Sequence, residues 1–145
     1  MNYQLHKIPV WYWIATVFFL LWNIMGVVSF FYHVFLPEEY FNALPENQKA
    51  LFSQYPLWTK IAFAMAVFGG LIGTIGLITR RKWARKYFII SLIGIIPQMI
   101  HSLYFTDTIE IHGPREAFLM PIMIVVIGIF LICFSNSCIK KGWLN

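Results

Sequence analysis

Charge is what this sequence has least of. Only 12% of its 145 residues are Asp, Glu, Lys or Arg, while 59% are hydrophobic. An ordinary soluble domain carries about twice that share of charge. A water-soluble chain this short has no core large enough to hide so much apolar surface, so a soluble single-core fold is excluded. Carboxylates are missing altogether from four long stretches. That excludes the intramembrane carboxylate that proton-coupled antiporters usually keep. Cysteine is nearly absent too. Cys133 and Cys138 lie five residues apart, about 500° around a helix, so they face different ways and form no disulfide framework. There is no phosphate-cradling glycine loop, no Ser-His-Asp elbow and no HxxxH pair, and neither an enzyme nor a cofactor is expected. His33, His101 and His112 with Glu110 are the one set that metal chemistry would draw on, and their spacing fits no ligand motif. The net charge of +5 does not mark a nucleic-acid partner, which would need its cations on one soluble face.

What is present is four apolar runs: Trp11 to Leu36, Trp58 to Thr79, Tyr87 to Phe105 and Phe118 to Cys138. Each holds about 20 residues, enough for a helix to cross a hydrocarbon layer of about 30 Å. In lipid the backbone must satisfy its own hydrogen bonds, so the runs are expected to be helices. Strand alternation is absent. The first run is too long for the apolar segment of a signal peptide and has no small-x-small cleavage site after it, so it is expected to stay as an anchor. The expected fold is an all-α, polytopic membrane four-helix bundle in one domain, 1–145.

The charges are sorted by end. Arg80, Arg81, Lys82, Arg85 and Lys86 crowd the link between the second and third runs, Lys7 precedes the first, and Lys140 and Lys141 follow the fourth. All six acids, Glu38, Glu39, Glu46, Asp107, Glu110 and Glu116, lie in the other two links. The positive-inside rule predicts both termini and the basic link in the cytoplasm. The basic turn would also meet anionic lipid headgroups of the bilayer. Trp11, Trp13, Trp58, Trp83 and Trp143 mark the expected headgroup levels. The first outer link, 37–57, is too long for a turn. Tyr40, Phe41 and Leu44, then Leu51, Phe52 and Tyr55, recur at helical spacing, and Pro45-Glu46 reads as a first helical turn. Two short interfacial helices are expected there, as a cap on the bundle or a lid over a cavity.

Ala62, Ala66, Gly69, Gly73 and Gly76 step by four, three, four and three along the second run. They make one small-residue stripe for close helix approach, against the same chain or a second copy. A weak internal echo pairs "GVVSFFYH" (Gly26 to His33) with "GIIPQMIH" (Gly94 to His101), and "RRKW" with "KKGW", the pattern of a parallel repeat. Polar residues also follow helical steps. Asn23, Gly26, Phe30 and His33 share one face, and Ser91, Gly94, Gln98 and His101 another. Both faces are expected to turn inward. Either they form a polar cavity floored by Asn23 and Gln98 and rimmed by His33 and His101, or their amides simply join helices, at about 1 kcal/mol or less each. With no carboxylate or cation counted among them, a neutral polar solute suits the cavity. Pro97 removes one helical hydrogen bond and predicts a kink in the third run. Met120, Pro121 and Met123 read as core filler.

"LLWNIMGV", "AVFGGLIG", "RRKWA", "SLIGIIPQ" and the closing "KKGW" together resemble a family of small four-helix bacterial inner-membrane proteins of uncharacterised function, often described as sugar transporters. The resemblance covers nearly the whole chain and rests on Trp22, Asn23, Gly26, Trp83, Gln98, Gly142 and Trp143. His33 and His101 stand outside it. It implies a multi-pass protein of the bacterial inner membrane and a sugar-like solute. A unit of four helices is thin for a transport path, so a homo-oligomer or a membrane-protein partner is expected. The competing expectation is an accessory subunit of a larger membrane complex that transports nothing.

Overall fold

The computed structural model describes residues 7–145, and every regular element among them is helical. Four long helices are α1 (Val10–Val34), α4 (Leu57–Ile78), α5 (Ala84–Tyr104) and α7 (Pro114–Lys140). Each is long and apolar enough to cross a membrane. Three short ones lie between them: α2 (Glu38–Asn42), α3 (Glu46–Ser53) and α6 (Thr108–His112). Prolines set most of the starts. Pro9, Pro37, Pro45 and Pro56 stand immediately before α1, α2, α3 and α4, and Pro114 opens α7. A helix start has no partner for its first N–H groups, so proline loses nothing there. The two short helices expected in the first link are α2 and α3, with Pro45-Glu46 at the predicted turn. The helix α6 was not expected. It ends at Gly113, whose φ of 83° releases the chain into α7. Helix α5 runs on through Pro97 as one element.

The long helices pack in chain order. α4 and α5 form the most intimate pair, α1 lies against α4 and α7 against α5, and α1 meets α7 through aromatic side chains such as Tyr12 on Phe134 and Phe19 on Phe130. The small-residue stripe explains the first pair. A methyl group on Gly69 would stand 3.1 Å from the Tyr87 carbonyl, on Gly73 2.7 Å from the Phe88 ring, and on Gly76 2.8 Å from Ala84. From the other side, a methyl on Gly94 would lie 2.8 Å from the Ala62 carbonyl and 3.1 Å from the Ala66 nitrogen. The stripe is therefore spent inside the chain and offers no seam to a second copy. Both glycines of the internal echo face α4, since Gly26 lies over Val67.

Burial is uneven along the bundle. At the end that carries Arg80 to Lys86, here the basic end, one dense cluster joins Tyr12, Phe19, Leu77, Phe88, Leu131, Phe134 and Trp143. The Tyr12 hydroxyl donates to the Leu77 carbonyl across 2.7 Å. Helices α4 and α7 both finish there with a reversed turn: Arg81 N–H bonds the Gly76 carbonyl, and Trp143 N–H bonds the Cys138 carbonyl. The left-handed residue of each turn is Arg80 (φ 59°) and Gly142 (φ 74°), the Schellman pattern of helix termini. The two turns then clasp. Asn145 N–H donates to the Arg80 carbonyl, Lys82 N–H donates to the Asn145 carbonyl, and Arg80 Nε donates to the Trp143 carbonyl at 2.9 Å.

Toward the opposite, acidic end the compact core shrinks to Ala66, Ile95 and Met99. Large apolar residues such as Ile14, Met25, Leu57, Ile93 and Ile122 are exposed along the four long helices, a belt that only a nonpolar solvent covers without cost. Met120 and Met123 belong to this belt, 54% and 39% exposed. They are not core filler: α7 packs on α5 and α6, and both methionine side chains stay exposed. Cys133 is exposed and Cys138 buried, on different faces as the spacing requires.

Candidate functional site

Three voids lie within the molecule, two at the acidic end and one reaching toward the basic-end cluster. The first, about 310 Å³, sits at the acidic end between α1, α4 and α5, and Phe41, Phe52 and Tyr55 of the capping segment complete its wall. Polar groups converge there: His33 from α1, Lys60 from α4, Gln98 from α5, and Tyr55. The second, about 360 Å³, is its neighbour across Phe52 and Tyr55, with Gln48, Thr108 and His112 in its walls. The third, about 350 Å³, lies deeper among all four long helices and includes Trp22, Asn23, Phe63, Ser91 and Gly128 in its walls.

A network of hydrogen bonds holds the cap over the first void. Gln54 at the end of α3 donates through Nε2 to the Asp107 carboxylate at 2.6 Å and accepts from the Asp107 backbone N–H at 2.9 Å. The Tyr55 hydroxyl lies 2.9 Å from Ser102 Oγ and 3.2 Å from Thr108 Oγ1. Thr106 adds bonds to the Ser102 carbonyl and to Thr108. The cap thus reaches past the void to the α5–α6 corner. His33 Nδ1 donates to the Ser29 carbonyl at 2.8 Å, which places the ring proton on Nδ1 in the neutral form. Its ring stacks with Phe52 at 5.8 Å between centroids.

The four residues expected to share one cavity are divided. His33 and Gln98 face the first void together. Asn23 faces the third. Its Nδ2 donates to the Phe19 carbonyl at 2.8 Å and to Thr74 Oγ1 at 3.0 Å, so part of the amide is interhelical glue. His101 belongs to neither. It packs among Trp58, Tyr55 and Phe105 at 5.2, 6.0 and 5.7 Å, and its buried Nδ1 has no hydrogen-bond partner. The helical step places Gln98 and His101 on one face of α5. One turn is enough to carry His101 past the void and under Trp58.

Lys60 was missed as a site residue. The structure puts it, half-buried, in the wall of the first void. The expectation of a wall without charge is corrected accordingly. The signal in the sequence was its position one helical turn before Phe63, on the side that meets α1. Among the described residues, no group of three or more His, Cys, Asp or Glu side chains gathers as a metal site would. No family model, curated protein or solved structure matches this chain.

Proposed function

We propose that this chain is a multi-pass inner-membrane protein, basic end in the cytoplasm, that binds a small polar solute of sugar size from the outer side. The void of about 310 Å³ beneath the cap carries this reading. That volume lies at the lower end of the range for small-molecule sites. Its walls combine aromatic faces, which cover the apolar side of a solute, with an amide, a hydroxyl and an imidazole to fix its orientation. Four helices able to cross a membrane and the sorted charges support the placement, as does the resemblance to the small bacterial family. The site is read as one of binding, not catalysis. Ser29 is a hydroxyl beside His33, yet the ring nitrogen it meets at 3.4 Å already donates to the Ser29 carbonyl. In the proposed orientation the dense basic end separates the capped void from the cytoplasm, and passage of solute would require a second arrangement. Such a rearrangement is easier for paired copies or a partnered subunit than for one thin bundle.

Thermal unfolding in lipid nanodiscs against a panel of monosaccharides and other small polar solutes tests the proposal. The melting temperature should rise with at least one solute, and Gln98→Ala should remove the rise without lowering the unliganded value by more than a few degrees. A panel without any shift would sink the reading.

A further inference from the structure

The first and third voids share one wall residue, Phe63, and differ sharply in chemistry on either side of it. On the acidic-end side stand Lys60, His33 and Gln98. No carboxylate lines that void or the neighbouring one, and Lys60 makes no ion pair or hydrogen bond among the described residues. A cation in a partly enclosed wall without a counter-charge favours an anion beside it. On the deeper side the walls are mainly apolar, and two of the polar groups there are already paired. Both Asn23 Nδ2 contacts go to protein acceptors, and the Ser91 hydroxyl donates to the Ala66 carbonyl. A hydrated solute that moved past Phe63 would lose its water and regain few hydrogen bonds in return. A hydrocarbon chain would lose nothing. The walls of this deeper void include Met25 of α1 and Met120 of α7, both exposed on the apolar belt.

The geometry points to a single-chain amphiphile with an anionic head as the ligand, its head beside Lys60 and its chain passing Phe63 into the cleft between α1 and α7. This deepens the reading of the first void as the ligand site and depends on it. Lys60 supplies the charge, Gln98 a hydrogen bond to the head, and the deeper void the length.

The experiment uses the full chain in phosphatidylcholine nanodiscs, with dodecanoate, dodecanol, acetate and glucose as probes. Dodecanoate is expected to bind about tenfold or more tightly than dodecanol or acetate, a difference of about 1.4 kcal/mol or more. Lys60→Gln should bring dodecanoate down to the level of dodecanol. Terminally brominated dodecanoate should quench the Trp22 fluorescence, and Trp22→Phe should remove that component of the quenching. Acetate binding as well as dodecanoate, or quenching that persists unchanged in Trp22→Phe, overturns the amphiphile and leaves the polar-solute reading standing. Dodecanol equal to dodecanoate in the native protein overturns the anionic head. A glucose response with none to dodecanoate overturns the inference alone, whereas silence toward all four probes and toward the solute panel removes both.

Discussion

Between Gly70 and Asn23 there is no room for a methyl group. A Cβ on Gly70 would sit 2.1 Å from Asn23 Oδ1 and 3.2 Å from its Cγ. The amide cannot simply swing away, because its nitrogen is tied to the Phe19 carbonyl and to Thr74. Gly70→Ala is therefore expected to destabilise the bundle by about 1–3 kcal/mol, the usual range for overpacking. In an Asn23→Ala background the obstacle is gone and most of the cost should vanish. A double-mutant cycle by denaturant titration in micelles should return a coupling on the order of 1 kcal/mol or more. Additive effects would show that the two residues do not meet. Asn23 could be recognised in the sequence as an amide that must face inward. Its partner could not, because Thr74 is one of several hydroxyl residues at helical positions and only the α1–α4 approach selects it. His101 failed for the same reason: a face of a helix can be read from spacing, but the neighbour opposite it depends on how the helices cross.

At the level of elements, the small-residue stripe of α4 was the most legible part of the fold, although the sequence left its partner open and only the structure shows it to be α5. Its small residues recur with the helical period, and close approach in lipid depends on little else. The clash geometry ranks the substitutions. Gly94→Ala would press a methyl against the Ala62 carbonyl and the Ala66 nitrogen, at 2.8 and 3.1 Å, backbone atoms that cannot turn aside. Gly128→Ala would meet only Leu92 Cδ1 at 3.2 Å, the end of a flexible side chain. Gly94→Ala should therefore cost about 1–3 kcal/mol. Gly128→Ala should cost clearly less, and equal melting temperatures for the two variants would refute the seam. The clasp at the basic end was less legible, since a Schellman turn ordinarily announces itself by glycine. Gly142 did so and Arg80 did not. Trp143, 8% exposed, packs edge-on to Tyr12 and Trp11 under the Lys141 ammonium. Trp143→Ala should cost about 3–5 kcal/mol, the range for burying and then deleting a large aromatic. Chemical unfolding followed by tryptophan fluorescence would measure it. The short α6 escaped the sequence reading because five polar and apolar residues in a loop carry no usable period.

For the molecule as a whole, the apolar runs were enough to define the number of long helices, each long and apolar enough to cross a membrane. The hollow at one end was not visible, because a void depends on the side chains that fail to meet. The proposed orientation makes a direct prediction. With the native cysteines removed by Cys133→Ser and Cys138→Ala, a single Glu39→Cys should react with an impermeant maleimide added to intact cells. A single Lys82→Cys should react only after the membrane is permeabilised. Both native residues at these positions are exposed, so burial does not confuse the result, and the reverse pattern would invert the topology. The contact between Asn23 and Thr74 also bears on how such a bundle is made. The two residues are 51 positions apart, so in the proposed membrane placement the first helix would enter the bilayer well before the hydroxyl it will meet has been synthesised. During that interval the Phe19 carbonyl, one turn back on the same helix, already occupies one of the amide's two hydrogens. The nascent segment thus shields part of its own polarity while it waits, which eases release from the translocon and postpones recognition of α4 to a later, lateral encounter.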